Sequence, residues 1–105
     1  MSLAPFRPVA ATVAQATSGT STAAVALTLP SPNAPTFQVR VVNTGTDAVF
    51  IKFGPSGLDA ASATADTPVL GGETEVFTLT GDQTHFRVIA AANTPTVYFT
   101  CGFGE

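Results

Sequence analysis

The chain contains no tryptophan and only one each of histidine, cysteine, methionine and tyrosine, and four basic residues among its 105. Each scarcity removes a class of function. With one cysteine, Cys101, no intrachain disulfide can brace the fold. With one histidine, His85, a zinc set would need several carboxylates drawn from distant loops. A serine nucleophile has no partner either, because no G-x-S-x-G elbow occurs and the single histidine is already an unsupported base. Arg7, Arg40, Lys52 and Arg87 are scattered along an acidic chain of net charge −3, so the basic patch that backbone recognition of nucleic acid requires is missing. No apolar run approaches the roughly eighteen residues of a spanning helix. The opening MSLAPFRP lacks the apolar core of a secretory signal, which leads us to expect synthesis in the cytoplasm and no membrane partner. A carbohydrate-binding sandwich built on stacked aromatics ranks last, since only Tyr98 offers an amphipathic ring.

What remains is apolar and neutral. Hydrophobic residues make up 45% of the chain and charged residues 10%, against roughly 25% charged in soluble domains. The alternative to a small neutral domain with a Thr-rich strand surface is a surface meant to be covered in an assembly, and the assembly reading is preferred. The length suits one domain with a single core.

Period-two alternation sets the fold class. Phe37-Val39-Val41 and Val49-Ile51-Phe53 are alternating runs joined through Asn43-Thr44-Gly45-Thr46-Asp47, which predicts a β-hairpin. Val9–Thr17 is a weak, Ala-rich strand; Thr22–Leu29 places Val25, Leu27 and Leu29 on one face. Pro30, Pro32 and Pro35 mark a loop. Leu58–Asp66 reads as a loop long enough to be functional, and Thr67–Leu70 as a short edge strand. Glu73–Leu79, Thr84–Ala91 and Thr96–Cys101 complete the set, with Gly102-Phe103-Gly104-Glu105 trailing off. Seven or eight short strands, turn signals and no convincing helix predict an all-β chain: a single antiparallel β-sandwich, jelly-roll-like, over residues 9–105. Residues 1–8 are expected to form an irregular N-terminal arm, because Pro5 and Pro8 interrupt pairing around Phe6 and Arg7.

Candidate chemistry is thin. His85 is expected on an exposed strand face, within reach of Asp82. Glu73 and Glu75 share a face, and solvated edge protection outweighs a paired-carboxylate role. Gly54-Pro55-Ser56-Gly57 and Gly71-Gly72 precede no helix and read as turns rather than phosphate cradles. Asp59 and Asp66 lack the spacing of a calcium loop. Cys101 alternates with Val97 and Phe99 as a small buried hydrophobe. No catalytic, cofactor or metal residue is assigned, and enzyme is the losing hypothesis.

The blocks Val39-Arg40-Val41-Val42-Asn43-Thr44-Gly45, Ala48-Val49-Phe50-Ile51-Lys52-Phe53-Gly54, Thr67–Leu79, Thr84–Ile89 and the Gly104-Glu105 ending together resemble small β-sandwich structural proteins of tailed bacteriophages. The resemblance implies a capsid decoration or cement protein on the virion exterior, a homo-oligomer with a trimer favoured. Its partner would be the major capsid protein, whose neighbouring subunits it braces. Phe6, Arg7 and Phe103 are the expected contact residues, chosen for their place near the termini, and the loop from Gly54 to Asp66 is a further candidate reach. The runner-up is a tail or fibre-associated adaptor or receptor-binding domain.

Overall fold

The computed structural model describes residues 6–30 and 35–104. Among the described residues lie nine strands: β1 (Phe6–Pro8), β2 (Val13–Ala16), β3 (Val25–Ala26), β4 (Thr36–Asn43), β5 (Val49–Gly54), β6 (Thr67–Val69), β7 (Thr74–Thr80), β8 (His85–Ala90) and β9 (Thr96–Gly104). No helix occurs among the described residues.

The strands form two antiparallel sheets. In the first, β9 and β4 are central, β7 is one edge, and β1 and β2 both pair along the other side of β9. The second runs β3-β8-β5-β6. Taken as one interrupted edge strand, β1 and β2 complete a four-against-four sandwich. Every connection between consecutive strands then crosses between sheets except that from β5 to β6. This is the jelly-roll arrangement of an antiparallel sandwich.

That crossing overturns the expected hairpin. β4 and β5 have the alternation and the Asn-Gly-containing turn of a hairpin, yet they belong to different sheets. Each run presents one apolar face, and facing sheets bury both as effectively as pairing within one sheet. Periodicity identifies the buried face of a strand and leaves its hydrogen-bonding neighbour open.

The N-terminal arm is also corrected in part. Phe6, Arg7 and Pro8 pair with Gly104, Phe103 and Gly102, so both Phe6–Pro8 and the C-terminal Gly102-Phe103-Gly104 are strand rather than loose ends; Met1–Pro5 lie outside the described residues. Pro8 is tolerated for a specific reason. Val9 N–H donates to the Cys101 carbonyl at 3.1 Å, which makes Pro8–Gly102 a non-hydrogen-bonded pair, so the missing N–H falls on the open side of an edge strand. Ala10 N–H donates to the same carbonyl at 3.1 Å. The two donors on one acceptor mark a bulge that separates β1 from β2, which is why the weak Val9–Thr17 strand shortens to Val13–Ala16. Only Val25–Ala26 of the expected Thr22–Leu29 strand is paired.

The core lies between the sheets. Val39, Val41, Val49, Val69, Phe86, Val88 and Val97 are fully buried, with Phe99, Ile51 and Cys101 nearly so. Phe86 of one sheet stacks on Phe99 of the other at a centroid distance of 3.8 Å, and Phe53 meets Phe99 edge-on at 6.4 Å and Phe77 at 5.6 Å. These four rings join the two layers, and each aromatic pair adds about 0.5–1.5 kcal/mol beyond area burial.

Cys101 is 1% exposed and unpaired, as its alternation implied. Burial pushes its thiol from an ordinary 9.0 up to about 11. Below pH 9 both folded and unfolded chains keep the proton and stability is unaffected. Between about pH 9 and 11 the unfolded chain ionises while the native protein does not, so stability falls by about 2–3 kcal/mol. Urea denaturation at pH 8 and pH 11 should show this loss in the wild type and a clearly smaller one in Cys101→Ala. Equal losses in both proteins would remove the thiol from the account.

Candidate interaction surface

Among the described residues no group of three or more His, Cys, Asp or Glu side chains is placed to hold a metal ion. His85 is half-buried at the start of β8, where its Nδ1 and the Thr84 hydroxyl are 2.8 Å apart. Asp82 instead accepts a hydrogen bond from the Thr80 hydroxyl, so the expected Asp82–His85 contact gives way to a turn-closing one. Glu73 and Glu75 are exposed at edge strand β7. Glu75 continues the inward row of Phe77 and Leu79 to the rim of the sandwich, where a charge discourages edge pairing.

The Gly54–Asp66 loop is tied to its own domain. Arg87 Nη1 donates to the Leu58 carbonyl at 3.1 Å, and its Nε donates to the Thr22 carbonyl at 2.7 Å. Ala61 is buried, and its N–H donates to the Ser21 hydroxyl at 2.9 Å. The loop therefore packs over the outer face of the second sheet, pinned by a strand arginine that the sequence placed only as one of four scattered cations.

Phe6, Arg7 and Phe103 are brought together. Arg7 is the register partner of Phe103, and Phe6 that of Gly104, so the three occupy one corner of the first sheet. Phe103 is half-buried and packs against the core, leaving only part of its ring for a partner.

A further candidate surface is the outer face of the first sheet. Register places Ala14, Tyr98, Val42 and Thr74 in one row across it, and Thr100, Arg40 and Val76 in the next. Tyr98 is 38% and Val76 45% exposed. Thr100 is buried on this face, its hydroxyl 2.7 Å from that of Thr12 in the bulge. Arg40 is the one charged residue in these rows. Such a face can be covered without burying a row of unpaired ions.

The end of the sandwich is built more tightly than its faces. Asn43 is fully buried. Its amide donates to the carbonyls of Asp47 at 2.8 Å and Val69 at 3.1 Å, and its Oδ1 accepts from Gly45 N–H at 3.0 Å. A Cβ on Gly71 would lie 2.3 Å from the Thr46 carbonyl oxygen, and one on Gly45 would lie 2.3 Å from Pro95 Cβ. Only glycine fits where these connections cross. The sequence reading treated all of these as turn residues. The available signal was that Asn43 continues the inward row Phe37-Val39-Val41, a polar residue in a buried register that demands partners.

No family model and no curated protein matches the chain. Among solved structures, a chain from Bacillus endospore appendages, described as forming a family of disulfide-linked pili, superposes with a TM-score of 0.56 at 19% identity, covering 94% of this chain and 88% of its own. At that identity the likeness shows a shared all-β fold over almost the whole sequence.

Proposed function

We propose that this protein is a non-enzymatic structural subunit, and specifically a capsid decoration protein that binds the outer surface of a phage head and braces neighbouring major capsid subunits. The observation that carries the reading is the outer face of the first sheet, with Arg40 as the one charged residue in its two central rows beside Tyr98, Val42 and Val76. Thr and Ala fill much of the rest. Weak contacts through such a face gain strength when many copies sit on one lattice. The Phe6–Arg7–Phe103 corner supplies a second contact at the sheet's end. A homotrimer and a location on the virion exterior belong to this proposal, as do the absence of any cofactor and of a nucleic-acid or membrane partner.

A filament subunit is the second reading, favoured by the endospore-appendage fold neighbour. The disulfide linkage described for that neighbour does not carry over simply, because Cys101 is the only cysteine and is buried. A tail or fibre adaptor is the third. Quantitative mass spectrometry of purified particles separates them. About one copy per major capsid subunit is expected of a protein bound across the lattice. A few per cent of that would move the protein to the tail, and absence from particles would end the virion reading.

A further inference from the structure

The loops at the Asn43 end of the sandwich enclose a shallow open depression of about 300 Å³, lined by Gly45, Thr46, Asp47, Asn93, Thr94 and Pro95. Its walls are the β4–β5 and β8–β9 connections, and both are held from behind. Pro95 is buried, and its carbonyl accepts from the N–H and the hydroxyl of Thr17. Thr44 hydroxyl donates to the Thr96 carbonyl at 2.7 Å, and Asn43 secures Gly45 and Asp47. The two loops pack directly on each other where position 45 lacks a side chain, since a Cβ there would collide with Pro95.

The polar groups converge. Asn93, with φ of 58°, turns its amide so that Nδ2 donates to Asp47 Oδ2 at 2.6 Å. Among the described residues, Asp47 Oδ1, Asn93 Oδ1 and the hydroxyls of Thr46 and Thr94 have no hydrogen-bond partner. Acceptors therefore predominate, around one negative charge and an apolar floor.

We propose that this depression binds a neutral saccharide through a pair of adjacent hydroxyls. The hydroxyls would donate to Asp47 and to Asn93 Oδ1. The carboxylate repels an anion. A divalent cation would find one carboxylate where such ions take several oxygen ligands, mostly carboxylate and carbonyl. A polyol matches an acceptor-rich, singly charged site without stranding a charge. Walls fixed before binding reduce the ordering cost, but there is no aromatic shelf, so the affinity per site is expected near 1 mM. This inference does not depend on the shell reading, because it is tested on the isolated protein.

The test is titration of the ¹⁵N-labelled protein with the methyl glycosides of glucose, galactose, mannose, N-acetylglucosamine and rhamnose. At least one is expected to shift the amides of residues 45–47 and 93–94. Asp47→Asn should weaken that glycoside about tenfold or more, the weight of a hydrogen bond to a charged group. Asn93→Gly, which suits the positive φ, should weaken it too while leaving the melting temperature close to wild type. The proposal is overturned if no glycoside shifts these amides at about 100 mM, a hundred times the expected Kd. Shifts elsewhere in the protein, or shifts that persist in both variants, overturn it equally.

Discussion

Replacing Phe99 with alanine is expected to destabilise the protein by about 3–5 kcal/mol, a large part of the roughly 5–15 kcal/mol available to a domain of this kind. Phe99 is 1% exposed, stacks on Phe86 across the sandwich at 3.8 Å and meets Phe53 edge-on at 6.4 Å. Its removal leaves a cavity between two sheets whose backbones are held by their own ladders, so neither layer can collapse fully into the space. Urea denaturation would read the loss as a lower midpoint with an unchanged slope. Thr78→Ala, exposed on the outer side of the same sheet, should stay within about 0.5 kcal/mol of wild type. A loss below about 1 kcal/mol at Phe99 would show that the ring stack is not what joins the layers.

Asn43→Leu is expected to cost about as much by a different route. Leucine would suit the apolar row of β4, yet it would strand the Asp47 and Val69 carbonyls and the Gly45 N–H, which Asn43 now satisfies. Each buried backbone group left unpaired costs about 1–3 kcal/mol. Asn43→Asp should also be severe: it keeps an acceptor for Gly45 but turns a carboxylate toward two carbonyl oxygens. Hydrogen exchange at Gly45 gives a local reading, and its protection should fall further than the global stability. A stable, normally protected Asn43→Leu protein would mean that water fills those roles.

The two variants mark what was legible in the residues and what was not. The rows Phe86-Val88-Ala90 and Val97-Phe99-Cys101 were visible as alternating apolar positions, and they are buried as expected. The sheet class followed from the same signal, and the edge strand expected over Thr67–Leu70 is found at Thr67–Val69, while nine strands stand among the described residues where seven or eight were expected. Pairing did not, because alternation is satisfied equally by a neighbour within a sheet and by a layer across the core; β4 and β5 were misjudged for that reason. The β1–β9 pairing was hidden by Pro8, whose missing N–H matters only where a ladder bond is needed. Of the candidate contacts, Phe6, Arg7 and Phe103 were chosen by chain position, and only the register shows them side by side. The Asp47–Asn93 pair joins residues far apart in sequence, and no local pattern announces it.

The strand at the centre of the first sheet is the last of the nine to leave the ribosome. β1, β2 and β4 all pair with β9, so until Thr96–Gly104 emerges the first two have no partner and β4 has only β7. The nascent chain must therefore carry much of the first sheet's apolar surface uncovered until β9 has been made, then close that layer in one event. For such a chain, translation pauses and chaperone availability before β9 emerges would govern the yield of folded protein more than its final stability does.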